Sequence, residues 1–227
     1  KIFSFSLRNK KSYANLVKII KIGSKFKIYF RVNSKVNYYY SNNSSNHHIQ
    51  NLLAAITAIS LFFELDKIPK NIFLDFKFPE GRGDISKLEF RNKIINFVDE
   101  SYNSNPLSLK TSLINFANIN AKKNIKHILL GDMLELGKHS STHHLSISKI
   151  INKLNIDKVH IYGKDIKKTY QGLKNSKKGL ILTNILQINY LINKILSNKD
   201  YLMVKGSNST GLYNQSQLLK LNRLNAL

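Results

Sequence analysis

The chain has 227 residues, 42% of them hydrophobic, enough for one large or two modest domains with true cores. It has no cysteine, which excludes disulfides and thiolate metal sites, and its longest apolar run, residues 52–63, is broken by Thr57 and Ser60 and is too short to span a bilayer. The formal charge of +23 would suit a nucleic-acid binder, yet the lysines are scattered among asparagines and isoleucines with no run of five like charges, which argues for a general compositional bias rather than a binding patch.

The chain opens on Lys1 without a charged-then-apolar leader, so a cytoplasmic protein lacking its own start is the expectation. Residues 1–40 hold three alternating stretches, KIFSFSL, KFKIYFRV after Gly23-Ser24, and KVNYYY, which predict an antiparallel meander. Residues 41–46, SNNSSN, form a loop by composition. From His47 to Leu65 the pattern LLAAITAISLFF predicts a buried helix capped by Asn46. Pro79-Glu80-Gly81-Arg82-Gly83-Asp84 interrupts both periods and predicts a boundary between two units, residues 1–80 and 81–227.

Beyond the boundary, strand-length apolar runs (94–98, 125–130, 158–162, 179–182, 201–204) alternate with helical segments near 106–119, 141–154, 164–173, 184–196 and 212–224. That alternation predicts an α/β unit, a mostly parallel sheet flanked by helices. Ligands of such sheets bind beyond the carboxyl ends of strands. Three of these ends carry polar turns: VDESYN at 98–103, Gly131-Asp132-Met133, and Lys205-Gly206-Ser207.

In VDESYNSNP, Asn105 is expected to cap a helix that Pro106 opens at its first position. Asp99 and Glu100 must be solvated or paired where the strand ends. Neighbours in an extended strand face opposite ways, so the two should not share a proton. One is expected to be structural and the other to take hydroxyls, as acidic residues at strand ends do for ribose. The adjacent pairs His47-His48 and His143-His144 point about 100° apart on a helix, which disfavours metal ligation. Arg82-Gly83-Asp84 spells an adhesion tripeptide by coincidence, but glycines on both sides let the guanidinium approach an anion closely. Residues 206–211, GSNSTG, have the glycine spacing of a phosphate loop, yet Leu212-Tyr213 stand where Lys and Ser or Thr are required, so that reading fails.

Taken together, DESYNSNPLSL (99–109), LLGDMLELGKHSSTHH (129–144) and MVKGSNS (203–209) resemble the carboxyl-terminal half of the Mur ligases. HHIQNLLAAI (47–56) and the glycine-arginine-glycine of GRGDI (81–85) resemble the end of that family's central, ATP-binding domain. The resemblance runs over the whole chain. It implies a Rossmann-like carboxyl-terminal domain, preceded by the antiparallel strands and helix that end the central domain.

The resemblance also implies an activity. ATP phosphorylates the terminal carboxylate of a UDP-MurNAc-tripeptide, the amine of D-Ala-D-Ala attacks the acyl phosphate, and the tetrahedral intermediate collapses to amide and phosphate. By position, Asn51 matches the residue that meets the adenine, His47 the family's ATP-site histidine four residues before it, Arg82 the arginine reaching the nucleotide, and Glu100 the acid that holds the ribose. Asn103, Ser104, Asn105, Asp132, His144 and Ser209 match the dipeptide and acyl-phosphate side. His48 replaces a usual Asn, Asn208 a usual Arg, and Tyr213 a frequent Glu. The lysine-bearing phosphate loop, the Mg2+ ligands and the UDP-sugar domain have no counterpart here and are expected before Lys1, so the fragment is expected to be inactive alone and the full-length protein to be a monomer. Two other readings compete: a non-catalytic basic nucleic-acid-binding protein on a ligase-like fold, and a sibling amide ligase such as folylpolyglutamate synthetase, against which SYNSNP and GDMLELG argue.

Overall fold

A computed structural model describes residues 2–44, 46–74, 80–90 and 92–221, the side chain of His47 excepted. The chain divides into two units, residues 1–77 and 78–227.

In the first unit, β1 (Phe5–Ser6), β2 (Ala14–Ile22), β3 (Lys25–Val32) and β4 (Lys35–Ser41) form a sheet in that order, followed by α1 (Asn46–Ile59). The expected meander is realised by β2, β3 and β4, which pair antiparallel. The turn between β3 and β4 has positive φ at both Asn33 and Ser34, the twist that a tight hairpin requires. KIFSFSL departs from expectation: among its described residues only Phe5–Ser6 is strand, and it pairs parallel to β2. The Ser6 hydroxyl accepts from Arg8 N and Asn9 N and so turns the chain away from the sheet. Ile28, Phe30 and Val32 alternate inward and meet the α1 stripe Ile49, Leu52, Leu53 and Ile56. The helix ends at Ile59 rather than Leu65. There Thr57 Oγ1 and Ser60 Oγ take the carbonyls of Leu53 and Thr57, and the next turn tightens with Leu61 N donating to Ala58 O.

The second unit contains β5 (Asp84–Phe90), β6 (Lys93–Asp99), α2 (Pro106–Ala117), β7 (Lys126–Gly131), α3 (Ser140–Ile151), β8 (Lys158–Tyr162), α4 (Lys167–Gln171), β9 (Lys178–Leu182), α5 (Gln187–Tyr190), β10 (Tyr201–Lys205) and α6 (Leu212–Lys220). The strand order is β5-β6-β10-β7-β8-β9, with β5 antiparallel to β6 and the other neighbours parallel. Alternate residues of β6, β7 and β10 feed two separate cores. Val98, Ile128, Leu130 and Met203 pack with Leu109, Leu113, Phe116, Ile147 and Ile151 of α2 and α3. Phe97, Leu129, Leu202 and Val204 pack with Ile188, Leu191, Leu212 and Leu219 on the other side. A sheet buried on both faces explains the continuous apolar runs.

Two helices are shorter than expected. The segment near 164–173 is helical only from Lys167, because the Asp132 carboxylate takes the N–H groups of Lys164 and Ile166. The segment near 184–196 turns from α to π at Leu191–Ile195, where Lys93 Nζ donates to the carbonyls of Ile192, Asn193 and Leu196. Residues 222–224, part of the expected last helix, lie outside the described residues, as does Pro79 of the expected boundary.

Candidate functional site

Because β10 lies between β6 and β7, Asp99, Lys205 and Gly131 end side by side at the carboxyl edge of the sheet. The three turns beyond them are tied together. Glu100 N donates to Val204 O (3.0 Å), Ser207 N to Asp132 O (2.9 Å), and Ser207 Oγ to Ser104 O (3.2 Å) while accepting from Leu134 N (2.9 Å). Gly131 and Gly206 let this ledge close. A Cβ at either would stand 2.6 or 2.8 Å from Leu212 Cδ1, the first residue of α6.

The two neighbouring carboxylates have different partners. Asp99 is fully buried; its Oδ1 accepts from Ser101 N and Oγ, and its Oδ2 from Gln217 Nε2 (3.2 Å) and Lys220 Nζ (2.6 Å). Lys220 also pairs with Asp84 at 2.6 Å. Burial pulls the Lys220 amine down, but hydrogen bonds to Asp84 and Asp99 and their charges outweigh it and raise its pKa. Asp99 is therefore a structural anchor.

Glu100 faces Lys205. The Lys205 side chain is 3% exposed, and Nζ lies 3.4 Å from Glu100 Oε2, donating also to Asn103 O (3.0 Å) and Glu100 O (3.5 Å). Burial pushes the Lys205 amine below its ordinary value, Glu100 opposes the shift, and Arg82 adds to it. The second oxygen, Oε1, lies beside Gly83, where a Cβ would come within 3.2 Å of it. Gly83 has φ +96°, a conformation glycine adopts without strain. Arg82 is exposed, with its guanidinium 4.4 Å from the centre of the Tyr102 ring, which meets Tyr213 edge-on at 5.5 Å.

The structure thus brings Arg82, Glu100, Asn103, Ser104 and Asn105 to one edge, with Asp132 and Ser209 on the adjoining turns. They differ in how they are engaged. Asn103 and Ser209 are exposed. Ser104 is buried, and its hydroxyl has no partner among the described residues. Asn105 caps α2, accepting from Ser108 N (2.8 Å) in a reciprocal box with Pro106 at the first position, as the sequence predicts. Asp132 spends both carboxylate oxygens on backbone N–H groups, at 3.0 and 2.7 Å. His144 is fully buried. Its Nε2 accepts from Met133 N (3.1 Å), which leaves the proton on Nδ1, donated to Ser140 O (2.9 Å). His47 and Asn51 belong to the first unit, one turn apart on α1; Asn51 is exposed, while neighbouring His48 is buried with Nε2 2.8 Å from Ser41 Oγ.

Sequence reasoning missed Lys205 and Lys220 as the partners of the two carboxylates. A lysine closing the otherwise apolar strand YLMVK was the available signal. It also missed His127 and His160, which stack with ring centres 5.3 Å apart and Nδ1 of His127 3.0 Å from Nε2 of His160, under the sheet's other end near Asp200.

Among the described residues, no group of three or more His, Asp or Glu could hold a metal ion, and no helix is long and apolar enough to cross a membrane.

No family model matches the chain. A UDP-N-acetylmuramoyl-tripeptide–D-alanyl-D-alanine ligase of Buchnera aphidicola subsp. Baizongia pistaciae is 32% identical over 216 residues, covering 93% of this chain and 44% of that protein. A protein of the same name from Rickettsia prowazekii is 24% identical over 211 residues, covering 93% of this chain and 45% of that one. Among solved structures, a crystal structure of MurF from Acinetobacter baumannii superposes with a TM-score of 0.72 at 22% identity, over 97% of this chain and 47% of that chain. MurF ligase from Thermotoga maritima in complex with ADP gives 0.65 at 16% identity, over 93% of this chain and 47% of that one. The chain spans about half the length of the relatives it matches. A doubly covered sheet whose polar turns gather at its carboxyl edge, and a sequence that aligns with the carboxyl-terminal portion of MurF proteins, lead to one conclusion: the chain belongs to the Mur ligase family.

Proposed function

We propose that the chain serves an ATP-dependent amide ligase of peptidoglycan precursor synthesis, one that joins D-Ala-D-Ala to UDP-MurNAc-tripeptide through an acyl phosphate in the cytoplasm. In this reading residues 1–80 end the central ATP-binding domain, and residues 81–227 are the carboxyl-terminal domain. The observation that carries it is Glu100: one carboxylate oxygen held by buried Lys205, the other beside Gly83, at a strand end where a nucleotide sugar binds in folds of this kind.

In the second unit Glu100 accepts ribose hydroxyls and the exposed Arg82 guanidinium meets the nucleotide's phosphates; in the first unit His47 and Asn51 are the positions that the resemblance assigns to ATP binding. Asn103, Ser209 and the buried Ser104 hydroxyl offer donors to the dipeptide and the acyl phosphate. Asn105, Asp132 and His144 serve the same edge indirectly, through the backbone they hold in place. Bringing the amine to the acyl phosphate is a proximity effect. Mg2+ would neutralise charge on the transferring phosphoryl group when bound. In keeping with the resemblance, this reading assigns the Mg2+ ligands and the phosphate loop to the part of the ligase that this chain does not cover.

An ADP-release assay with both substrates tests this reading. The chain alone gives no turnover. Joined to the amino-terminal portion of a related MurF, it releases ADP in proportion to added D-Ala-D-Ala, and Glu100→Ala raises the KM for ATP more than that for the dipeptide. Release independent of the dipeptide, or unchanged ATP kinetics in the variant, would contradict it.

A further inference from the structure

We infer that Lys205 is a positioning residue for nucleotide recognition: by binding Glu100 Oε2 from below the turn, it presents Oε1 at the surface as the acceptor for a ribose hydroxyl. The inference deepens the nucleotide reading of Glu100 and rests on it.

The geometry is asymmetric in a way that a surface carboxylate is not. Oε2 lies 3.4 Å from an amine whose side chain is 3% exposed, while the Glu100 side chain is 20% exposed. The same amine donates to Asn103 O at 3.0 Å, so it is fixed by the turn and not by the carboxylate alone. Oε1 is on the Gly83 side, and among the described residues it accepts no hydrogen bond. An unrestrained glutamate would populate several rotamers and lose side-chain entropy on binding a hydroxyl. A glutamate pinned at one oxygen has already lost that freedom. A buried lysine is a costly way to fix a loop, since a hydrophobic residue would fill the space without the desolvation penalty. What the amine adds is a directed acceptor.

The test reads discrimination between hydroxylated and deoxygenated sugars, which loop stability alone does not set. Affinities of the 227-residue chain for ADP, 2′-deoxy-ADP and 3′-deoxy-ADP are measured by calorimetry, with thermal unfolding as a fold control. The wild type binds ADP roughly 10-fold more tightly than one of the two deoxy forms, the value of one charge-assisted hydrogen bond. Glu100→Gln and Lys205→Met each bring that ratio to below about 3-fold, while Lys205→Arg, which keeps a charged donor beside Glu100, retains most of it. If Lys205→Met unfolds the chain, Lys205→Gln is read in its place. A ratio lost in Glu100→Gln but kept in the folded Lys205 variant overturns this inference and leaves the nucleotide reading intact. No ADP binding by the wild type, or a ratio insensitive to Glu100→Gln, overturns the nucleotide reading itself.

Discussion

Adjacent carboxylates at the end of a strand can be a liability or a tool, and Asp99 and Glu100 divide those parts. Asp99 is fully buried and is balanced by Lys220, which reaches it from the end of α6 while also holding Asp84. Removing only the cation leaves a buried charge uncompensated. Lys220→Met should therefore lower unfolding free energy by about 3 kcal/mol, measured by urea denaturation, and Lys220→Met combined with Asp99→Asn should recover part of the loss. A cost below about 0.5 kcal/mol would mean that solvent reaches Asp99. The stacked pair His127 and His160 makes a second residue-scale prediction. Burial, with the charges of His127 and Lys158 adding to it, pushes His160 down to about 3. Burial also lowers His127, against the opposing charge of Asp200. The unfolded chain binds a proton at His160 below about pH 6.5 and the folded chain does not, so stability is lost as pH falls from there toward about 3, and the lowered His127 acts in the same direction. Each fully shifted histidine contributes a slope of about 1.4 kcal/mol per pH unit. The urea midpoint should therefore fall between pH 7 and pH 5 in the wild type and fall less in His160→Gln.

At the scale of elements, the sequence signals that worked were local ones. Asn105 and Pro106 specify the start of α2 by hydrogen bonding and fixed φ, and both act as their chemistry predicts. Asn105→Ala should cost about 1 kcal/mol of stability, with Asn105→Asp restoring most of it. A loss of dipeptide affinity in the ligase with no change in stability would instead give Asn105 a direct contact. Where the elements differ from expectation, the cause lies far away in sequence. α4 starts late because Asp132 holds the turn before it, and the segment after α5 widens to a π turn because Lys93 claims three of its carbonyls. No periodicity in residues 164–173 or 184–196 records those partners. β5 is likewise hard to read from sequence, since Asp84, Ser86, Lys87 and Glu89 hide the alternation of Leu88 and Phe90 toward the core. An edge strand needs only one apolar face, so its pattern is weak.

For the whole molecule, the alternation of strands and helices after residue 81 was legible, because a doubly covered parallel sheet demands it. The strand order was not. That β10 returns to lie between β6 and β7 is a long-range fact, and it alone brings Lys205 to Glu100 and Ser207 to Ser104. The carboxyl edge was therefore predictable as a place, and five of its residues, Arg82, Glu100, Asn103, Ser104 and Asn105, with Asp132 and Ser209 on the adjoining turns, are named by the resemblance. Which of the named residues face outward and which hold the backbone depended on pairings that only the fold supplies. Titration of the chain with ADP, followed by backbone amide chemical shifts, tests the central claim most directly. Saturable perturbations are expected at Gly83, Glu100, Tyr102 and Lys205, larger than those elsewhere in residues 78–227. Perturbations confined to other parts of that unit, such as the lysine-bearing loop after α2, or none at saturating ADP, would contradict it.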